Sequence, residues 1–286
     1  MDVIIRDKYK LEEKIGEGRF GVVFKGKNIK NGEYVAIKME KKDVLYKSVK
    51  HETNIINYLF QKKCSYIPKI YWYGLYDKYT CLVITYFSHS LQDYYEKKGV
   101  IANTKMNILM SQCVEILENI HNCFIVHLDI KPQNFMIKDG EVYLIDFGLA
   151  KVYIDEKDNH INTGSQTFIG SPKYVSYFSH CGEPSSRRDD LISLGYMYLF
   201  LCYGELLWED RNYIADGEHT ISEYETNHIF HPNNKWRMEY KKWDSLKTNP
   251  QVLLNTKIKD YLEYCYSLSY SQMPNYNYLK SIFLKE

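Results

Sequence analysis

The sequence predicts an α+β fold with a small β-rich part followed by a larger, mainly helical part, and three observations carry that expectation. With 286 residues, 45% hydrophobic and 15% aromatic, the chain has enough apolar surface to build a large core, which excludes a disordered polymer. Periodicity changes once, near Phe87: short strand-like runs precede it, and three- and four-residue helical spacing follows Leu91. No internal repeat, low-complexity tract or Gly/Ser linker intervenes, so the boundary is expected between residues 1–87 and 88–286.

The elements follow in order. Tyr9 to Ile15, Val22 to Lys27, Tyr34 to Met39, Ile70 to Gly74 and Cys81 to Tyr86 read as strands, with Asn31-Gly32 suited to a hairpin turn. In this part only His51 to Gln61 reads as a helix. Further on, Asn103 or Thr104 is expected to cap a helix whose apolar positions are Met106, Leu109, Cys113, Leu117 and Ile120. Residues 135–138 and 142–145 flank Asp139-Gly140, a hairpin signal that stops just before Asp146. Leu191 to Trp208 is apolar, yet Ser193, Gly195, Gly204 and Glu205 interrupt it and Asp190 opens it. A buried core helix is therefore expected there instead of a membrane span.

Charge and cysteine content narrow the function classes. The 37 Lys+Arg nearly cancel the 36 Asp+Glu, so no global field attracts nucleic acid or an anionic membrane. Seven dispersed cysteines with no Cys-x-x-Cys suggest neither a disulfide framework nor a zinc module. The opening MDVIIRDKYK lacks the apolar run of a secretory signal, so an intracellular location, cytoplasmic or nuclear, is expected.

The chemistry-bearing residues form three groups. Gly16-Glu-Gly18-Arg-Phe-Gly21 is a G-x-G-x-x-G loop, in which missing Cβ atoms let backbone N–H groups approach phosphate oxygens. A dinucleotide fingerprint would need a helix after the loop; here a strand follows, then a second ending in Val35-Ala36-Ile37-Lys38, which favours a flap over phosphates. An ammonium at the end of an apolar strand needs a counter-charge, and Glu52 on the next helix is the candidate. The third group is Ile125-Val-His127-Leu128-Asp129-Ile-Lys131-Pro-Gln-Asn134 with Asp146-Phe147-Gly148, placing two acids and an amide at the ends of short apolar runs.

On these motifs the chain resembles a eukaryotic-type protein kinase over nearly its whole length, and the casein kinase 1 family in particular. The narrower resemblance rests on Ile130-Lys-Pro-Gln-Asn-Phe135, Asp146-Phe-Gly-Leu-Ala-Lys151, Ser186-Arg-Arg-Asp-Asp190-Leu-Ile-Ser-Leu-Gly195-Tyr196, Tyr261-Leu-Glu-Tyr-Cys265 and Pro274-Asn-Tyr-Asn-Tyr278. It implies one kinase domain of two lobes that transfers the ATP γ-phosphate to serine or threonine hydroxyls. ATP and Mg²⁺, or Mn²⁺ in its place, are the implied cofactors.

The resemblance also implies roles. Gly16, Gly18, Gly21, Val23, Ala36, Thr85, Phe87 and Met136 would surround the nucleotide, with Ile84 at the back; Lys38, paired with Glu52, would hold its α/β-phosphates. Asn134 and Asp146 would ligate the metal, Asp129 would accept the substrate hydroxyl proton, and Lys131 would neutralise transferring charge. Ser171, Lys173, Arg187 and Arg188 would line the substrate side and favour protein sites near acidic or phosphorylated residues.

Departures from the pattern point both ways. Leu128 stands where the family has the arginine that reads an activation-segment phosphate, so control through Thr163, Ser165 or Thr167 is not expected. Ser176-Tyr-Phe178 stands where most kinases have Ala-Pro-Glu, a motif that the casein kinase 1 family lacks too. Residues 207–243 depart most, and Gly217-Glu-His and His231-Pro-Asn-Asn read as an irregular insert. Leu128 and that insert favour a pseudokinase scaffold as the alternative, while the presence of Lys38, Glu52, Asp129, Asn134 and Asp146 disfavours it. A small-molecule phosphotransferase of kinase-like fold shares the catalytic-loop pattern, but the complete glycine loop and Asp146-Phe147-Gly148 argue against it.

Overall fold

The computed structural model describes residues 3–18, 21–162, 167–209 and 232–284. By its contacts the chain divides into two compact units, residues 1–90 with 135–150, and residues 91–134 with 151–286.

The first unit is built on six antiparallel strands: β1 (Ile4–Ile5), β2 (Tyr9–Gly18), β3 (Gly21–Asn28), β4 (Tyr34–Lys41), β5 (Ile70–Tyr76) and β6 (Tyr79–Thr85), in the order β1-β2-β3-β4-β6-β5. Side-chain alternation gives the sheet two apolar faces. On one, Val35, Ile37, Met39, Cys81 and Val83 pack with Ile5 and Tyr9. On the other, Leu82 and Ile84 pack with Val49 of helix α1 (Ser48–Gln61), backed by Ala36 and Ile70. Each such aliphatic side chain, fully buried, contributes roughly 1.5 to 3 kcal/mol. Register places Val23 opposite Lys38, Lys38 opposite Leu82 and Ala36 opposite Ile84, so these five share the face that carries α1.

Helix α1 starts three residues before the His51 expected from sequence. The Glu40 carboxylate of β4 receives its first N–H groups, from Ser48 at 2.9 Å and Val49 at 3.4 Å, an N-terminal cap supplied from another element. The unit is completed by β7 (His89–Ser90), β9 (Phe135–Lys138) and β10 (Glu141–Leu144), in the order β10-β9-β7. Asp139 and Gly140 both take positive φ, 53° and 85°, as the tight hairpin turn requires.

Among the described residues of the second unit the helices are α2 (Leu91–Lys98), α3 (Asn103–Asn122), α4 (Tyr177–His180), α5 (Arg187–Tyr203), α6 (Pro232–Lys241), α7 (Trp243–Leu246), α8 (Pro250–Leu253), α9 (Thr256–Ser267) and α10 (Tyr276–Leu284). Strands β8 (Ile125–Val126) and β11 (Lys151–Val152) pair antiparallel. Helix α5 is buried over nearly its whole circumference, packs against α3 and α9, and ends at Gly204 with φ 85°. Among the described residues no helix is long and apolar enough to cross a membrane.

Two local expectations are corrected. Helix α3 begins at Asn103, so Ala102 takes the flanking position and no side chain caps it. Where His231-Pro-Asn-Asn reads as irregular, residues from Pro232 onward are helical, with proline in the first turn, where its missing N–H costs nothing. His231 and Gly217-Glu-His lie outside the described residues.

Candidate active site

The nucleotide-side candidates sit in the first unit. Gly21 opens β3 with φ 116°, and a Cβ there would run into the Met39 carbonyl, so only glycine fits that end of the loop. Gly18 pairs with Gly21 at the end of the β2–β3 ladder, and Gly16 lies opposite Val23. Phe87 is buried against Tyr143, and Met136 lies on β9.

Lys38 is almost wholly buried and meets two carboxylates, Glu52 Oε2 and Asp146 Oδ1, each at 2.7 Å. Burial alone would pull the ammonium down, but Glu52 and then Asp146 outweigh it and hold Lys38 above its ordinary range. Glu52 is fixed in turn, because it is buried in α1 and also accepts the backbone N–H of Phe147. The helix grips this loop twice more: His51 Nε2 lies 2.6 Å from the Ala150 carbonyl, and the Tyr46 hydroxyl, just before α1, donates to the Gly148 carbonyl at 3.4 Å. Asp146 takes a left-handed backbone, φ 65°, and Phe147 is fully buried.

The second unit gathers the others around Asp129, itself 7% exposed. Lys131 Nζ lies 2.6 Å from Asp129 Oδ2, and the Ser171 hydroxyl donates to Oδ1 at 2.8 Å while its N–H reaches the same oxygen at 3.2 Å. Lys131 also donates to the Ser171 hydroxyl at 3.4 Å. Asn134 donates through Nδ2 to the Asp129 carbonyl at 2.8 Å and to Oδ2 at 3.2 Å, which turns its Oδ1 away from Asp129.

One residue without an expected role governs this loop. Asp190 of α5 accepts the N–H groups of His127 at 2.7 Å and Leu128 at 2.8 Å, and His121 Nε2 lies 3.0 Å from it. Burial would raise its carboxyl; His121 and the backbone donors reverse that and hold it below the usual carboxylate range. Leu128, at φ 67°, packs with Val126 and Tyr153. Asp190 was visible in sequence only as part of a motif, because its partners are more than sixty residues away.

The remaining substrate-side candidates have partners of their own. Lys173 pairs with Glu209 at 2.5 Å and lies over the Phe200 ring. Arg187, 7% exposed, donates to the Ser271 carbonyl at 2.7 Å and the Tyr153 hydroxyl at 3.3 Å. Arg188, 6% exposed, pairs with Glu183 and stacks on Phe178. Both guanidinium groups brace the fold instead of facing solvent, as buried arginines with several acceptors do.

A strand-rich unit with a glycine loop and a buried Lys–Glu pair, and in the same chain a helical unit with an Asp–Lys–Asn loop, define the protein kinase class. The family model "protein kinase domain" matches residues 9–277, and the chain belongs to that family.

Proposed function

We propose that the chain is a serine/threonine protein kinase of casein kinase 1 type, transferring the γ-phosphate of ATP to protein hydroxyls. The observation that carries this reading is the closed cluster of Asp129, Lys131, Asn134 and Ser171, in which a carboxylate and an ammonium stand 2.6 Å apart. Asp129 orients the acceptor hydroxyl and takes its proton, while Lys131 offsets negative charge on the moving phosphoryl group. Lys131 stands two residues after Asp129, which is the spacing behind the Ser/Thr assignment.

In the first unit Lys38, held by Glu52, binds the α/β-phosphates; Val23, Ala36, Ile84 and Met136 offer apolar surface to adenine, and Thr85 and Phe87 offer backbone groups. The Asp146 carboxylate and the Asn134 amide oxygen are hard donors of the kind Mg²⁺ or Mn²⁺ accepts. The metal, when bound with ATP, neutralises phosphate charge.

The preference for acidic or phosphorylated neighbours rests on Lys173. Its side chain is a quarter exposed and its ammonium faces Glu209, a carboxylate that an acidic substrate residue would replace. Arg187 and Arg188, engaged with Ser271, Tyr153 and Glu183, are not assigned to that preference. The test is incubation of the chain with Mg²⁺, labelled ATP and either casein or a basic protein, followed by phospho-amino-acid analysis. Label on serine and threonine of casein is expected; absence of label, label on tyrosine, or preference for the basic protein overturns the reading.

A further inference from the structure

Lys241, the last residue of α6, is fully buried and pairs with no carboxylate among the described residues. Its Nζ donates to the Val175 carbonyl at 2.7 Å and the Pro172 carbonyl at 3.0 Å, and lies 3.1 Å from His180 Nε2. The rings of Tyr196 and Trp208 stand 5.0 and 5.2 Å from it. Trp208 completes the pattern, its indole N–H donating to the Lys173 carbonyl at 2.7 Å. Two side chains thus occupy the carbonyls of residues 172, 173 and 175.

An amine that touches no carboxylate, with Glu209 acting on it only at a distance, is an expensive group to bury, and an apolar residue would fill the same volume more cheaply. What it provides is a fixed backbone from Pro172 to Val175. That segment begins where Ser171 meets Asp129 through both its N–H and its hydroxyl. The Tyr174 and Val175 N–H groups turn back onto the Ser171 carbonyl, each at 2.9 Å. Trp208 and Lys241 lie just inside the two ends of residues 207–243, the stretch of sequence that departs most from the family pattern, so this anchoring belongs to the divergent region.

We propose that Lys241, assisted by Trp208, is a positioning residue for the protein acceptor: it holds residues 171–175 so that Ser171 and Asp129 keep their register and the acceptor hydroxyl is aligned. The proposal rests on the kinase reading above and concerns the acceptor side alone.

The full-length chain is compared with Lys241→Met and Trp208→Phe. Lys241→Met is expected to lower kcat/KM for a protein acceptor about 10- to 100-fold, since displacements near 1 Å carry losses of that size. KM for ATP stays within about two-fold, because the positioning acts on the acceptor. Trp208→Phe, which keeps an aromatic ring, shifts the same parameter the same way by a smaller factor and decides the matter if Lys241→Met does not fold. In hydrogen exchange, the Tyr174 and Val175 amides are expected to exchange at least about ten-fold faster in both variants, while α5 amides keep their protection. Equal losses for acceptor and ATP, or unchanged exchange at Tyr174 and Val175, overturn the proposal. If the wild-type chain transfers no phosphate, the kinase reading fails by itself, and the exchange rates still decide whether Lys241 holds the segment.

Discussion

Glu40 and Ser48 are joined by two hydrogen bonds to a single oxygen: Glu40 Oε1 accepts the Ser48 N–H at 2.9 Å and the Ser48 hydroxyl at 2.7 Å. Glu40 stands two residues beyond Lys38 on β4, and Ser48 stands four before Glu52 on α1. Strand and helix are therefore tied at two places, one at the end of the helix and one at the Lys38–Glu52 ion pair.

Glu40→Ala removes the first tie and leaves the second. Loss of the cap is expected to destabilise the fold by about 1 kcal/mol and to lower kcat/KM for ATP several-fold, with KM for the protein acceptor unchanged. Glu40→Gln, which retains an acceptor oxygen, restores most of both. Denaturant titration and steady-state kinetics read the two effects.

Lys38→Met and Asp129→Asn are expected to lower phosphoryl transfer by roughly a hundred- to a thousand-fold while the circular dichroism spectrum stays that of the parent. Lys38→Met is also expected to lose nucleotide-induced thermal stabilisation and Asp129→Asn to retain it, since the proposed role of Lys38 is on the nucleotide and that of Asp129 on the acceptor. Wild-type turnover in either variant would remove that residue from the mechanism.

Activity is expected to be indifferent to phosphatase treatment. Leu128 is buried against Val126 and Tyr153, where it offers a phosphate nothing. Upstream of those hydroxyls the chain is held at residues 153 and 161, by Arg187 on the Tyr153 hydroxyl and by Tyr270 on the Ile161 carbonyl. Thr163 and Ser165 lie outside the described residues; Thr167→Ala should leave the rate unchanged. Leu128→Arg puts a charged group into an apolar cluster, so its melting temperature falls, and Leu128→Ala should cost roughly 2 to 5 kcal/mol. A phosphatase-induced loss of most activity would overturn this account.

Acidification is expected to weaken the fold through buried histidines. Burial lowers His121, and burial followed by the Lys241 and Arg237 charges lowers His180, so both stay neutral where unfolded histidines would be protonated. Below about pH 6.5 the unfolded chain therefore binds more protons. The stability these groups contribute is complete above that pH and is lost as pH falls through it. Urea titrations between about pH 8 and pH 5.5 should show the midpoint falling on the acid side, and His121→Gln should flatten the fall.

The strands and long helices are legible because their apolar residues repeat locally: Val35, Ile37 and Met39 alternate, and Met106, Leu109, Cys113 and Leu117 recur each turn. Lys38 and Glu52 are readable as a pair because an ammonium on an apolar strand demands a counter-charge nearby. What stays hidden depends on distant partners. The start of α1 is set by Glu40, eight residues earlier and on another element, and the shape of the Asp129 loop is set by Asp190 on α5. The engagement of Arg187 with Ser271 is likewise invisible to any window of sequence. Lys241 is the clearest case, since no local pattern marks a lysine that will be buried among carbonyls.

The hairpin of β9 and β10 has a consequence for how the chain is made. Because β9 pairs with His89–Ser90 and Leu144 donates to the Tyr66 carbonyl, the first unit lacks a part of itself until residue 150 has been synthesised. A nascent chain ending at residue 90 carries α1 without the loop that Glu52, His51 and Tyr46 grasp, and it leaves Phe87 without the Tyr143 ring. On the ribosome, the β-rich part must therefore wait for sequence that follows the helices α2 and α3, and an expressed fragment of residues 1–90 would expose the apolar surface that recruits chaperones.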